Sequence, residues 1–388
     1  MITIHERQEF MRREFRRVFG GEPAIWVRAP GRVDLMGSHT DYNHGYVMTM
    51  TIDRDTWIAV RHRSDRRVAL HSLNLDSGGE FDLNAIAHDL TTPWTDYVRG
   101  VARFLEEAGH RLTGFDGLIH STVPFASGLS SSAALEMAAG AAFQAVGGFE
   151  LDKVQMALIG QRAENRFVGV NSGILDQYSS ALGRAGSALL LDCRNLTSQV
   201  APIAAGIQVM ICDTRAERRL TGSEYGERRA QCEEGVRLLR AFYPDATALR
   251  DVTLDQLEAH AQSLPDVVAR RCRFIIEENQ RVLDLAEALT NGEPGRLFGL
   301  FSASYLGACD LYEIGAPAMS QMMAAMLSAP GVIAARQAGA GFGGCMVALV
   351  RAEAVTSFQA HVERDYYLRT QIQPRVYPVT ASPGAGPL

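Results

Sequence analysis

Hydrophobic and polar positions alternate between two periods along the chain. From Glu6 to Phe19 the apolar positions Phe10, Phe15, Val18 and Phe19 recur at helical spacing. Ala24 to Ala29 predicts a short strand that ends at Pro30-Gly31, and Tyr46–Ile52, Trp57–His62 and Arg67–His71 predict three more. Trp94 to Glu107 returns to helical period through Tyr97, Val98, Val101, Phe104 and Leu105. Leu118–Val123 reads as a strand, followed by a Ser-rich turn and an alanine-rich helix from about Ala133. Asp152 is placed to cap a helix running to about Phe167. Ser187–Asp192 and Ile207–Cys212 are apolar strands.

Beyond Ser223 the pattern is mostly helical, with Ser223–Phe242, Leu254–Gln262, Asp266–Leu289 and Pro317–Leu327 as the main segments. A strand returns at Cys345–Val350, and Gly/Pro-rich Ala381–Leu388 reads as a loose tail. Strands and helices mix without strict βαβ alternation, which predicts an α+β fold. The change from strand-rich to helix-rich text places a domain boundary near residue 200, dividing the chain into 1–200 and 201–388.

The chain of 388 residues is 47% hydrophobic, so it can bury a sizeable core. A net charge of −6 makes it a poor non-specific partner for nucleic acid or an anionic membrane. Its 38 basic residues include a single lysine, Lys153. That excludes a Walker A lysine and the strand lysine of protein kinases. The six cysteines are scattered and form no C-x-x-C pair, as expected of reduced thiols in a cytoplasmic protein. The N-terminal residues carry charge where a signal peptide needs an apolar core.

Three segments carry candidate chemistry. Pro124-Phe-Ala-Ser-Gly128-Leu-Ser130-Ser131-Ser132 lies between a strand and a helix. Small residues at a helix N-terminus let backbone N–H groups and hydroxyls face phosphate, although a serine-rich helix cap reads the same way. The run from Arg28 to Asn43 packs Arg32, Asp34, His39 and Asp41 between strands, which suits a polyhydroxyl ligand or a hydrated hairpin loop. Gly339-Ala-Gly-Phe-Gly-Gly344 before a strand signals close backbone approach or a tight turn.

In order and spacing these segments resemble the galactokinase branch of the GHMP small-molecule kinases, over about residues 24–380. Further matches are Trp94-x-x-Tyr97-x-x-Gly100, Asn171-Ser-Gly173-Ile-Leu-Asp176-Gln177, Leu190-Leu-Asp-Cys-Arg194 and Ser223-Glu-Tyr225-x-x-Arg228-Arg229. The resemblance implies a two-domain fold with the active site between the domains. It implies transfer of the ATP γ-phosphoryl group, with Mg²⁺, to the anomeric hydroxyl of a sugar. Asp176 matches the catalytic aspartate and Arg32 its partner. Ser132 and Glu164 match the Mg²⁺-contacting pair. Gly128, Ser130, Ser131 and Ser132 would hold phosphate, and Trp94 would lie near the base. Ser38, His39, Asp41, Gly173 and Tyr225 would line the sugar pocket, with Gly341 and Gly343 near sugar and phosphates. A cytoplasmic enzyme acting on small molecules follows, as a monomer or weak dimer without nucleic-acid or membrane partners.

Departures from the pattern concern the sugar. Where galactokinases carry the glutamate that binds the C6 hydroxyl, this chain has Ser38, and Asp34 replaces an asparagine. The segment Ser304-Tyr305 to Tyr312-Glu313 also differs from the family's Ser-His…Arg-Asp-Asp-Tyr-Glu. Plant-type arabinokinases resemble this chain at Asp34–Ser38, and galacturonokinases also lack the glutamate. The expected substrate is therefore D-galactose or a close relative such as L-arabinose or galacturonate. A non-catalytic galactose/ATP sensor would carry a damaged serine loop, whereas this loop is complete.

Overall fold

The computed structural model describes residues 3–125, 127–216 and 222–388, the side chains of Gly222 and Ser223 excepted. Met1, Ile2, Ala126 of the serine loop and the Ser223 side chain thus lie outside the described residues. Helix α1 (Ile4–Phe19) starts at a reciprocal cap: Thr3 Oγ1 accepts from Glu6 N, and the Thr3 backbone N–H donates to the Glu6 carboxylate. It is followed by β1 (Ile25–Met36), β2 (Tyr46–His62), β3 (Arg67–Ser72), β4 (Ser77–Asp82), α2 (Asp96–Glu107) and β5 (Phe115–Ser121). Then come α3 (Ser131–Gly147), α4 (Lys153–Arg162), α5 (Leu175–Leu182), β6 (Ser187–Asp192) and β7 (Thr197–Pro202). All seven strands belong to one sheet, in the order β1-β2-β5-β3-β4 with β6 and β7 attached through β2. The β3–β5 pair is parallel and the others are antiparallel.

Strand β1 does not stop at Pro30-Gly31, as its composition suggested. It bulges there and again between Asp34 and Met36, which tolerates the missing proline N–H and carries Arg32 and Asp34 inward. Gly31 is required by proximity: a Cβ would lie 2.6 Å from the Leu129 carbonyl of the serine loop. The two strands expected within residues 46–62 are one strand that changes partner, pairing through Tyr46–Thr49 with β6 and through Thr56–His62 with β5. Its polar middle, which looked like a break, is neutralised within the fold. Asp55 accepts from Arg28 Nε at 2.7 Å and from Arg7 Nη1 at 2.5 Å.

The chain then crosses to a second, antiparallel sheet. Its strands are β8 (Ile207–Asp213), β9 (Val332–Gln337), β10 (Cys345–Arg351) and β11 (Arg375–Val379), in the order β11-β8-β10-β9. Between β8 and β9 lie α6 (Gly222–Leu239), α7 (Leu254–His260), α8 (Asp266–Asn291), α9 (Pro294–Asp310) and α10 (Pro317–Leu327), and α11 (Val355–Thr370) precedes β11. One apolar cluster joins the two sheets, with Val33, Met48 and Met50 meeting Val209, Ile211 and Val347 and the Val282–Leu285–Leu289 face of α8. Full burial of each such side chain stabilises by about 1.5–3 kcal/mol, so the cleft above this core has a firm floor. No helix among the described residues is long and apolar enough to cross a membrane.

The expected loose tail is ordered. Ser382 Oγ donates to the Ile52 carbonyl at 2.8 Å, and β12 (Gly386–Pro387) adds an edge strand to β1. Small residues serve close approach here, since a Cβ on Gly384 would meet the Ala181 carbonyl at 2.3 Å. Glycine and proline content alone could not separate that role from disorder.

Candidate active site

Strand β1 delivers Arg32 to the floor of a cavity of about 520 Å³. Its guanidinium makes three hydrogen bonds: Nε donates to Asp176 Oδ1 at 2.8 Å, Nη2 donates to the same oxygen, and Nη1 donates to the Gly128 carbonyl at 2.6 Å. Asp176 sits in the first turn of α5, where the positive end of the helix favours a carboxylate. Among the described residues no donor reaches Asp176 Oδ2, and the side chain is 27% exposed to the cavity. A guanidinium that orients one carboxylate oxygen leaves the other free to accept a proton or align a hydroxyl.

Opposite lie the residues of the turn between β1 and β2. Gly173 packs so closely on Asp41 that a Cβ would lie 1.7 Å from Asp41 Oδ2. Burial pushes the Asp41 carboxyl up to about 6. His39 places Nε2 2.9 Å from the Ala340 carbonyl and Nδ1 2.8 Å from Tyr42 Oη. A carbonyl only accepts, so Nε2 carries the hydrogen and Nδ1 accepts from the Tyr42 hydroxyl. Tyr42 Oη in turn accepts from Tyr312 Oη at 2.7 Å. Burial lowers His39 to about 4, consistent with a neutral ring that ties this turn to the glycine-rich loop. Tyr225, in the first turns of α6, packs against His39 with ring centroids 5.1 Å apart and lines the same cavity.

Ser38 also borders the cavity, but its hydroxyl is engaged behind the wall. It donates to Asp34 Oδ2 at 2.7 Å and accepts from Arg336 Nη2 at 3.0 Å. The short, uncharged Ser38 suggested a pocket end without a carboxylate. The structure instead places the Asp34 carboxylate there, four residues earlier on β1.

The serine loop borders two cavities. Gly128 faces the first, while Ser131 and Ser132 line a second of about 170 Å³ together with Asn74, Leu75, Trp94, Tyr97 and Phe125. Ser130 stands at the N-cap of α3 in the left-handed conformation (φ 60°), makes no side-chain cap, and leaves its buried Oγ without a partner. The serines are thus not spent on capping, and the first N–H groups of a 17-residue helix are available for an anion. Beyond α4 the chain winds as a π-helix over Ala163–Val168, an irregularity common at functional sites, and this segment carries Glu164. Glu164 is buried and accepts from Gln177 Nε2 at 2.9 Å and from Ser172 Oγ.

The structure therefore gathers Arg32, Ser38, His39, Asp41, Gly128, Glu164, Gly173, Asp176 and Tyr225 around one cavity, and Ser131, Ser132 and Trp94 around its neighbour. In the glycine-rich loop the cavity is lined by Gly339 and Ala340 rather than Gly341 and Gly343. Gly341 instead passes under the Ile314 carbonyl, 2.6 Å from where its Cβ would be. Sequence reasoning missed Arg336, Glu278 and Ser172. Arg336 comes from β9, just ahead of the glycine-rich loop, and Glu278 from α8, and nothing in one sequence marks them out from the other charged residues. Asp34 was visible as part of the polar Arg28–Asn43 run and as a departure from the family pattern.

Known proteins match the chain along nearly its whole length. The galactokinase galactose-binding signature matches residues 13–62, the GHMP kinases N terminal domain residues 96–184 and the GHMP kinases C terminal residues 283–368. Galactokinase of Chloroflexus aurantiacus is 42% identical over 372 residues, covering 96% of this chain and 95% of its own. That of Roseiflexus sp. is 40% identical over 376 residues, covering 97% and 96%. The crystal structure of Lactococcus lactis galactokinase complexed with galactose superposes with a TM-score of 0.93 at 32% identity, covering 98% of this chain and 99% of that one. Methanococcus jannaschii mevalonate kinase, at 17% identity and a TM-score of 0.66, shares the fold alone, covering 93% and 99%.

Proposed function

The chain belongs to the galactokinase family of GHMP sugar kinases, and from that premise we propose that it moves the γ-phosphoryl group of ATP to the anomeric hydroxyl of D-galactose. The observation that carries this reading is the half-used Asp176 carboxylate, held by Arg32 in a cavity it shares with the Asp41–Gly173 pair. Asp176 Oδ2 orients the attacking hydroxyl and accepts its proton. Arg32 orients Asp176 and presents positive charge where negative charge accumulates during transfer. Asp41 takes sugar hydroxyls, while His39 and Tyr225 wall the ring. The serine loop and the start of α3 hold the phosphates, and Trp94, with Leu75, Tyr97 and Phe125, receives the base. Binding both substrates in adjoining cavities is itself the larger part of catalysis for a reaction that needs positioning more than covalent chemistry.

The chemistry of the oxygens at Ser132 and Glu164 suits Mg²⁺. Among the described residues there is no cluster of three His, Cys, Asp or Glu able to hold a metal alone. One carboxylate and one hydroxyl fit an ion that keeps several waters and takes its remaining ligands from phosphates. When bound it would neutralise charge on the β- and γ-phosphates. Scattered, mostly buried cysteines support a reducing, cytoplasmic setting.

At the end of the cavity nearest Ser38, the Asp34 carboxylate would face the C6 carboxylate of a sugar acid, which weighs against galacturonate. L-arabinose lacks that group and stays as the second reading. A coupled assay of ADP release with galactose, L-arabinose, galacturonate and glucose tests the choice. Galactose should support the highest kcat/KM, and a preference for either other galacto-configured sugar would replace it.

A further inference from the structure

Two buried, opposite charges at the cavity wall fall short of touching. Asp34 is 1% exposed and Arg336 fully buried. Asp34 Oδ1 and Arg336 Nη1 are 3.9 Å apart, too far for a hydrogen bond, and neither atom has any partner. Arg336 Nε is likewise without a partner, whereas the remaining groups of the cluster are used. Asp34 Oδ2 accepts from Ser38, and Arg336 Nη2 donates to Ser38 Oγ and, at 3.4 Å, to Glu278 Oε1. Glu278 is further occupied by Gly37 N, Ser304 Oγ and Arg281 Nε. An unpartnered buried acceptor is costly, and the residue that carries it lines a cavity suited to a polyhydroxyl ligand.

We propose that Asp34 Oδ1 is a sugar-binding group, accepting a hydrogen bond from one hydroxyl of the substrate, with Ser38 and Arg336 as the residues that position it. This rests on the sugar-kinase reading above. A hydroxyl donates one hydrogen bond to Oδ1 and satisfies the acceptor that the folded protein leaves open. Ser38 fixes Oδ2, so the carboxylate cannot rotate to pair with Arg336 without giving up that bond. A serine at position 38 therefore does not leave this end of the pocket blind, because the carboxylate has moved to position 34.

The experiment pairs Asp34→Asn with a set of galactoses each lacking one hydroxyl, reading sugar KM and kcat/KM beside the KM for ATP. Loss of a hydrogen bond to a charged acceptor should lower kcat/KM for galactose roughly 10–100-fold, with ATP KM unchanged. One deoxy sugar, the one missing the bound hydroxyl, should be almost indifferent to the substitution, while the others lose as much as galactose. If Asp34→Asn does not fold, Ser38→Ala gives the same test at smaller size, since it frees Oδ2 yet leaves every charge in place. Equal losses for every deoxy sugar, or none for galactose, would overturn the proposal while leaving the kinase reading intact. Absence of sugar turnover by the unaltered enzyme would overturn both.

Discussion

Arg32 and Asp176 are joined through a single carboxylate oxygen. Two guanidinium N–H groups of Arg32 converge on Asp176 Oδ1, and the third nitrogen holds the carbonyl of Gly128. One side chain thus sets both the orientation of the Asp176 carboxylate and the position of the serine loop. It can do so because β1 bulges at Pro30–Arg32 and Gly31 lets that strand pass close under Leu129.

Asp176→Asn keeps the shape of this arrangement and removes its proton acceptor. kcat should fall about 10²–10⁴-fold, the usual contribution of a positioned base, with the KM for ATP little changed. Steady-state kinetics in both substrates check this. A variant retaining more than about a tenth of the kcat would show that Asp176 does not act on the nucleophile.

Gly173 is kept small by Asp41. In Gly173→Ala the new methyl would fall 1.7 Å from Asp41 Oδ2, so the carboxylate must move. Sugar KM should rise roughly 10–100-fold, as for a misplaced binding group, while ATP binding holds. Unchanged sugar KM would separate Asp41 from sugar recognition.

Acidification should weaken sugar binding. Burial raises Asp41 to about 6, and the form that accepts from sugar hydroxyls is the ionised one, present above that pH and lost below it. Sugar KM should therefore climb as pH falls from 7 to 5, with the change centred near 6. A flat profile over that interval would contradict the role given to the Asp41 carboxylate.

Restoring a glutamate at position 38 should not by itself restore a glutamate site. In Ser38→Glu the new carboxylate meets Asp34, which already uses the Ser38 hydroxyl and lies 3.9 Å from Arg336. The single variant should lose kcat/KM for galactose, and adding Asp34→Asn should recover it. The non-additivity expected of such contacting residues is about 0.5–3 kcal/mol. Additive effects would mean that the two positions are independent.

What the sequence disclosed, and what it withheld, follows from how far each feature reaches along the chain. The serine loop, the Arg32–Asp41 run and the Asn171–Asp176 run are local, and their glycines and hydroxyls stand out against a helical or strand background. The Asp34–Arg336–Glu278 cluster is assembled from β1, β9 and α8, and such long-range pairing of charges leaves no periodic trace. Pro30-Gly31 reads as a turn although β1 runs through it, and in the C-terminal segment glycine serves close packing where its content reads as disorder. The glycines of α9 break the density of helix-forming residues, although Phe301 and Leu297 bury it against the sheet core.

Phosphorus NMR of the product from ATP, Mg²⁺ and galactose reports whether the phosphoryl group reaches the anomeric oxygen. A single new sugar-phosphate resonance coupled to the anomeric proton is expected. Phosphate on any other hydroxyl, or ADP formed without a sugar phosphate, would contradict it.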